Sequence, residues 1–287
     1  MEILILGAVR GALYALIAVG YVLIYSVGGI LNLAHGSYYM LGAYMTYIFY
    51  TLVFGTGGKL ILILSSMLSV LSVGIIACIV YYVLLRPRIE SLTYVLVITL
   101  ALALFISEIM SLFFGVAGTS VPSFVEGSRP IGGIQVINQQ LLLFPVAAVI
   151  LPGLWFFLKR TKTGQGIDAV AQQRDGAVLM GVNIVKVNLI TSGLSACLAA
   201  LAGTLIAPVS SVVPHMWVYP LIKAFAIAIL GGIGSLAGSI IASFILGYAE
   251  VSSSFLISDQ LTEMVTLFII VFVLLFKPHG IMGFRLE

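Results

Sequence analysis

The chain has 287 residues, 61% of them hydrophobic and only 8% charged, with a mean hydropathy of +1.22 and a net charge of +3. A soluble domain carries roughly 25% charged residues, so this chain lacks the polar surface to face water, and its small net charge does not point to nucleic acid. At about 20 apolar residues per helical span, the length allows on the order of eight to ten spans. The expectation is one all-α integral membrane domain over 1–287.

The first apolar run, 3–27, holds one charge, Arg10. No cleavable signal peptide is read there, because Glu2 stands where such a signal needs a basic start. The stretch "GGILNLAHGSYYMLG" (28–42) follows, with Asn32, His35 and four glycines but no charge. It suits neither a solvated loop nor a plain transmembrane helix. Further runs cover 37–54, 60–85 and 92–115, then a polar Gly/Pro-rich segment, then 141–158. A basic stretch, 159–186, precedes runs at about 187–208, 221–250 and 261–276, giving about eight spans. Cys78 and Cys197 lie in apolar runs and read as small buried hydrophobes.

Nine of the 13 basic residues fall in three places: Arg86 with Arg88, the group Lys159, Arg160, Lys162, Arg174 and Lys186, and Lys277 with Arg285 in the tail. The positive-inside rule sets these places, the C-terminus included, in the cytoplasm of a cell inner or plasma membrane. Parity then makes a demand. Three apolar runs between 186 and 277 are one too many or too few if both ends lie inside. The run 221–250 is broken at its centre by "LGGIGSLAGS" and is expected to form two half-helices that enter and return. Irregular backbone at membrane depth needs cover from protein or a water-filled path. The stretches "GGILNLAHGS" (28–37) and "GGIGSLAGS" (231–239) match at Gly-Gly-Ile, Leu-Ala and Gly-Ser, which marks a candidate internal repeat, and paired glycine-broken segments point to a transport path.

The segment 159–186 suits one or two short helices at the membrane surface, interrupted near Gly176, with Asp168 in the first helical turn. It is either a solvated loop that only sets topology or a docking surface for a soluble partner.

Together "GILNLAHGSYYMLGAY", "A..A...DGAVLMGVN", "SGLSACLAALAGTL" and "AIAILGGIGSLAGSIIASFILGYAE" resemble the branched-chain amino acid permease family of ABC importers, across nearly the whole chain and in order. The likeness is to the permease with the N-[LF]-A-H-G motif; relatives carrying urea and short amides share these motifs. The resemblance implies a type II importer fold, a second homologous permease subunit, two cytoplasmic ATPase subunits and an extracytoplasmic substrate-binding protein. It also implies a small-molecule substrate and ATP-driven switching between outward-open and inward-open states. On that resemblance 164–183 is the coupling segment, with Gly164, Asp168, Arg174, Asp175, Gly181 and Asn183 as its candidate residues.

Candidate path residues are Asn32, His35, Gly36, Gly231, Gly232, Gly234 and Ser235, a neutral set that fits a dipolar or uncharged solute. His35 reads as a helix-linking hydrogen bond rather than a metal ligand, and Asn32 as a cap or a substrate contact. His215, in "VVPHMWVYP", reads as part of an outer-face turn with Trp217 and Tyr219 as interface aromatics. Among charges in the spans, Glu108 lies deepest and is expected to pair with Arg10 or Lys223, while Glu250 ends its run at the interface. No catalytic residue, metal or cofactor is expected. H-E-x-x-H, G-x-S-x-G and Walker A sequences are missing, so any ATPase is another chain. A stand-alone secondary transporter, the rival reading, would lean on Glu108.

Overall fold

The computed structural model describes residues 2–131, 134–256, 258, 262–277 and 280–282. It is a helical bundle with one small departure from the all-α expectation. Two short strands, β1 (Ser128–Ile131) and β2 (Ile134–Ile137), pair antiparallel, with Ser128 opposite Ile137. Among the described residues, six helices are long and apolar enough to cross a membrane: α1 (Glu2–Gly28), α3 (Lys59–Val80, continuing to Arg88), α4 (Leu92–Phe114), α5 (Asn138–Arg160), α8 (Ile184–Ile206) and α10 (Leu236–Leu256). Shorter helices complete the bundle: α2 (His35–Tyr47, extended by a π-helical turn to Val53), α9 (Val218–Gly231) and α11 (Thr262–Phe276).

Helix α1 sits at the centre. Apart from Arg10 it is apolar on every side through its middle, and Ala15–Ile24 is buried without a break, as expected of a helix surrounded by others. Its chief neighbours are α10, α8 and α9, and small residues such as Ala12, Ala15 and Ala18 let them come close. In an apolar solvent such packing, rather than hydrophobic exclusion, holds helices together. The outer helices α3, α4 and α5 instead show large apolar side chains on one face, including Met67, Leu71, Phe105, Leu112, Trp155 and Phe156. That is a surface matched to acyl chains.

The basic stretch folds into α6 (Lys162–Gln172) and α7 (Arg174–Leu179). They close one end of the bundle, where Ile167, Val170 and Ala177 pack on Leu23 and Val27 of α1, Leu158 of α5 and Val187 of α8. This basic end is a structural reference for the rest.

Two crossings are broken, and they run in opposite directions. After α1 finishes at the basic end, residues 29–34 turn back into the bundle. Helix α2 then starts at His35, whose ring reaches the Ile17 carbonyl, roughly 16 Å up α1 at 1.5 Å per residue. Conversely, α8 finishes at the far end, residues 207–217 turn back inward, and α9 starts beside α2. The incoming segment is tied to the far end by backbone hydrogen bonds, Thr119 N–H to the Val212 carbonyl at 2.9 Å and Val212 N–H to the Thr119 carbonyl at 2.8 Å.

The glycine-rich turn of 232–235 joins α9 to α10 and lies at the basic end, with Gly234 facing Ser26. The expectation of two half-helices around it is therefore corrected. Only α9 is short; α10 runs 21 residues and is a full span. The parity problem is solved differently, because 207–217 and α9 together make one broken crossing. The two matched stretches differ in place: 28–37 leads into the short helix α2, whereas 231–239 is the turn between α9 and the full span α10.

Candidate functional site

Where the two broken crossings meet, α2 and α9 present their first turns to each other. A Cβ on Gly36 would collide with the Trp217 carbonyl and come 2.9 Å from Leu221 Cβ, so only glycine fits. His35 is wholly buried; its Nε2 lies 2.9 Å from the Ile17 carbonyl and its Nδ1 3.2 Å from Ser195 Oγ. A carbonyl only accepts, so Nε2 carries the proton and the Ser195 hydroxyl donates to Nδ1. The ring thus joins α2 to α1 and α8. Tyr21 packs edge-on against both His35 and Phe225 of α9, at 5.6 and 6.2 Å between ring centres. Asn32, also buried, accepts from the Ala34 N–H at 3.0 Å. Leu33 N–H donates to Thr99 Oγ1 at 3.2 Å. The irregular backbone at depth is therefore covered by neutral side-chain partners. Trp217 is buried in this junction, not an interface aromatic, and His215 lies 3.4 Å from Ser107 Oγ of α4.

Gly231, Gly232, Gly234 and Ser235, grouped in the sequence with Asn32, His35 and Gly36, lie apart from them at the basic end. Gly232 and Gly234 adopt φ of 101° and 89°, the left-handed region where glycine is favoured. Ser235 Oγ accepts the Gly238 N–H at 3.0 Å and so caps α10. The orphan carbonyls of α9 are met by the chain's own tail: Ile281 and Met282 donate to Leu230 and Gly231 at 2.9 and 3.0 Å.

The intramembrane charges pair differently from the sequence expectation. Glu108 is exposed on the outer face of α4, and no ion pair among the described residues involves it. The acid that gathers the cations is Glu250. It is buried, one carboxylate oxygen bonded by Lys223 and Thr266 and the other by Tyr14, with Arg10 Nη1 3.8 Å away. Four helices, α1, α9, α10 and α11, are joined there. A signal for this was present. Helical neighbours of Glu108 are Leu104, Phe105, Ser111 and Leu112, mostly a lipid-facing stripe, whereas those of Glu250 are Leu246, Gly247, Ser253 and Ser254, mostly small residues suited to a helix interface. Beside the cluster, at the far end, a cavity of about 620 Å³ opens between α1, α5, α8, α9, α10 and the start of α11. Among the described residues no three metal-ligating side chains come together.

At the basic end, Thr161 caps α6 through Gly164 N–H at 3.0 Å, and Gly164 lies tight against the end of α5. Asp168 is in the middle of α6, not its first turn, and pairs with Lys159 at 2.7 Å. The helices break at Gln173 rather than near Gly176, which lies within α7; Arg174 and the acidic Asp175 open that helix. Gly181 ends the segment at φ 84°, and Asn183 Oδ1 caps α8 by accepting the Lys186 N–H at 3.0 Å. The tip, Leu179 and Met180, is not among the candidate residues read from the sequence, and the two are 88% and 86% exposed.

With this geometry in hand, comparison places the chain among known proteins. The family described as "Branched-chain amino acid transport system / permease component" matches residues 3–274, and the chain belongs to it. It is 30% identical to the high-affinity branched-chain amino acid transport system permease protein BraD of Pseudomonas aeruginosa, over 99% of this chain and 95% of that one. It is 29% identical to the corresponding permease LivH of Escherichia coli K12, over 96% and 93%. A solved structure, PsaBC from Streptococcus pneumoniae in complex with Fab, superposes with a TM-score of 0.50 at 12% identity, covering 96% of this chain and 91% of that one, a likeness of fold alone. The chain is a multi-pass membrane protein of a transport permease family, not of an enzyme family.

Proposed function

We propose that this chain is one membrane subunit of an ATP-driven ABC importer for branched-chain or other hydrophobic amino acids, in the inner or plasma membrane with its C-terminus in the cytoplasm. The observation that carries the reading is α7. A short helix braced on α1, α5 and α8 holds Leu179 and Met180 almost wholly in the open at the most basic end of a membrane protein. A stand-alone carrier has no use for such a knob, whereas a soluble motor subunit can seat it. Arg174, Asp175 and the Lys159–Asp168 pair offer polar contacts around it. Gly164, Gly181 and Asn183 then serve by holding α6 and α7 rigid, so that motion of a docked ATPase reaches α1 and α8. Two ATPases, a second homologous permease and an extracytoplasmic binding protein complete the assembly. The junction of Asn32, His35 and Gly36 with α9 lies beside the path, and the turn of Gly231, Gly232, Gly234 and Ser235 forms its cytoplasmic edge.

The test is co-purification from gently solubilised membranes of the native host, with Leu179→Asp and Met180→Asp combined. A co-purifying ATPase, lost in the variant, together with ATP-dependent leucine uptake supports the proposal. A chain that purifies alone and moves solute in liposomes without ATP overturns it. Uptake of urea or acetamide in place of leucine would transfer the subunit to the related amide importers.

A further inference from the structure

Among the described residues, the cavity at the far end carries an unbalanced charge: two cations, Arg10 and Lys223, share one acid, Glu250. Both carboxylate oxygens of Glu250 are already occupied, by Lys223 and Thr266 on one side and Tyr14 on the other. Arg10 stands 3.8 Å off, at the margin of hydrogen bonding, and its side chain is 45% exposed. Toward the described residues its five guanidinium donors are thus largely unspent while its charge is held in place. Leu13, Leu143, Ile206 and Val251 line the same cavity and are aliphatic; Gln140 and Tyr219 add polar groups. The cavity holds about 620 Å³, within the range of small-molecule sites. It opens at the end opposite the basic helices and its floor is the first turns of α9, the broken helix that starts against Gly36.

We propose that this cavity is an oxyanion-binding vestibule in which Arg10 takes a carboxylate while the aliphatic wall takes a branched side chain. The occupant so named rests on the proposed function; the phosphate of a membrane lipid is the other source of the same chemistry. The Lys223–Glu250 pair acts as a fixed base that stops Arg10 from collapsing onto a partner of its own.

The experiment uses the full chain, purified with its co-purifying subunits and stripped of lipid. Binding of radiolabelled leucine is competed with 4-methylpentanoate, which keeps the carboxylate, and with isoamylamine, which keeps only the amine. Competition by the acid alone is expected. Arg10→Gln should weaken binding by about 10- to 100-fold, the range for a hydrogen bond to a charged group, and Arg10→Lys should restore part of it. Should Arg10→Gln fail to fold, the competition on the unaltered protein decides by itself. Equal competition by the amine, or unchanged binding to Arg10→Gln, overturns the site. A parallel arm titrates phosphatidylglycerol and reads bound lipid by native mass spectrometry. Lipid bound through Arg10 with no leucine binding keeps the oxyanion site and overturns its amino-acid occupant. ATP-dependent uptake by the assembled transporter tests the importer reading separately, so either can fail alone.

Discussion

Gly36 and Trp217 touch through backbone: the α-carbon of the one lies where any larger residue would strike the carbonyl of the other. The two are 181 residues apart, and their contact seats the start of α2 on the start of α9. Replacing Gly36 with Ala should overpack this junction and cost about 1–3 kcal/mol. The measurement is the thermal unfolding midpoint in detergent, with Leu expected to be worse than Ala. An unchanged midpoint for Gly36→Leu would mean the two helices do not meet.

His35 is predicted to matter for stability more than for proton chemistry. Its ring donates to the Ile17 carbonyl and accepts from Ser195, both buried. His35→Ala leaves the Ser195 hydroxyl without this partner and opens a cavity, a loss of about 1–3 kcal/mol for the polar group alone. Ser195→Ala should be the milder change, and the double variant should lose less than the sum of the two. A double-mutant cycle on unfolding midpoints reads this coupling, and strict additivity would contradict it.

For the ion pair, sign and order are both predicted. Removing one partner of a buried pair strands the other and costs about 3–5 kcal/mol. Lys223→Met should therefore destabilise strongly, because Glu250 keeps only the more distant Arg10 as counter-charge. Lys223→Met with Glu250→Gln should recover a good part of that loss. A double variant less stable than Lys223→Met would show that the pair is not the unit of stabilisation.

The glycines of the α9–α10 turn separate two kinds of cost. A Cβ on Gly234 would meet Ser26 Cβ at 3.9 Å, an ordinary contact, and its φ is 89°, so Gly234→Ala carries chiefly backbone strain of about 1–2 kcal/mol. Gly231 is a packing position, where an added Cβ lies 2.5 Å from the backbone of Gly238, and Gly231→Ala should cost more. Gly234→Asn should be better tolerated than Gly234→Val, because Asn accepts the left-handed region.

A cysteine at Gly234 should react with an impermeant maleimide from the same face as one at Lys162, and one at Gly58 from the opposite face, after Cys78 and Cys197 are replaced. Reaction of positions 234 and 162 from different faces would contradict the fold.

The lipid-facing helices were legible because a helix bathed in acyl chains needs a long apolar run, and α3, α4 and α5 supply one. The break after α1 was legible too, since Asn32 and paired glycines have no business in a plain span. The second broken crossing was not. "PHMW" looks like a surface turn, and Trp217 is buried only because Gly36, far away in sequence, leaves room for its backbone. Of the site, the neutral character of the Asn32–His35 junction could be read directly. The partner of the intramembrane cations could not be chosen by depth alone, because Glu108 and Glu250 each stand alone in an apolar run. The small residues flanking Glu250 on its helix face decide between them, and that face is visible only once a helix phase is assumed.

The hydrogen-bonded pair Thr119–Val212 gives the far surface a leash on the interior. Val212 belongs to the strand-like segment that feeds α9, and Tyr44 of α2 also donates to its carbonyl at 3.2 Å. A load on the loop before β1 must either snap two backbone hydrogen bonds, at about 1 kcal/mol each, or draw the feeder segment with it. A pull at the surface is thereby delivered, through the five residues of chain from Val212 to Trp217, to the point where α2 and α9 touch.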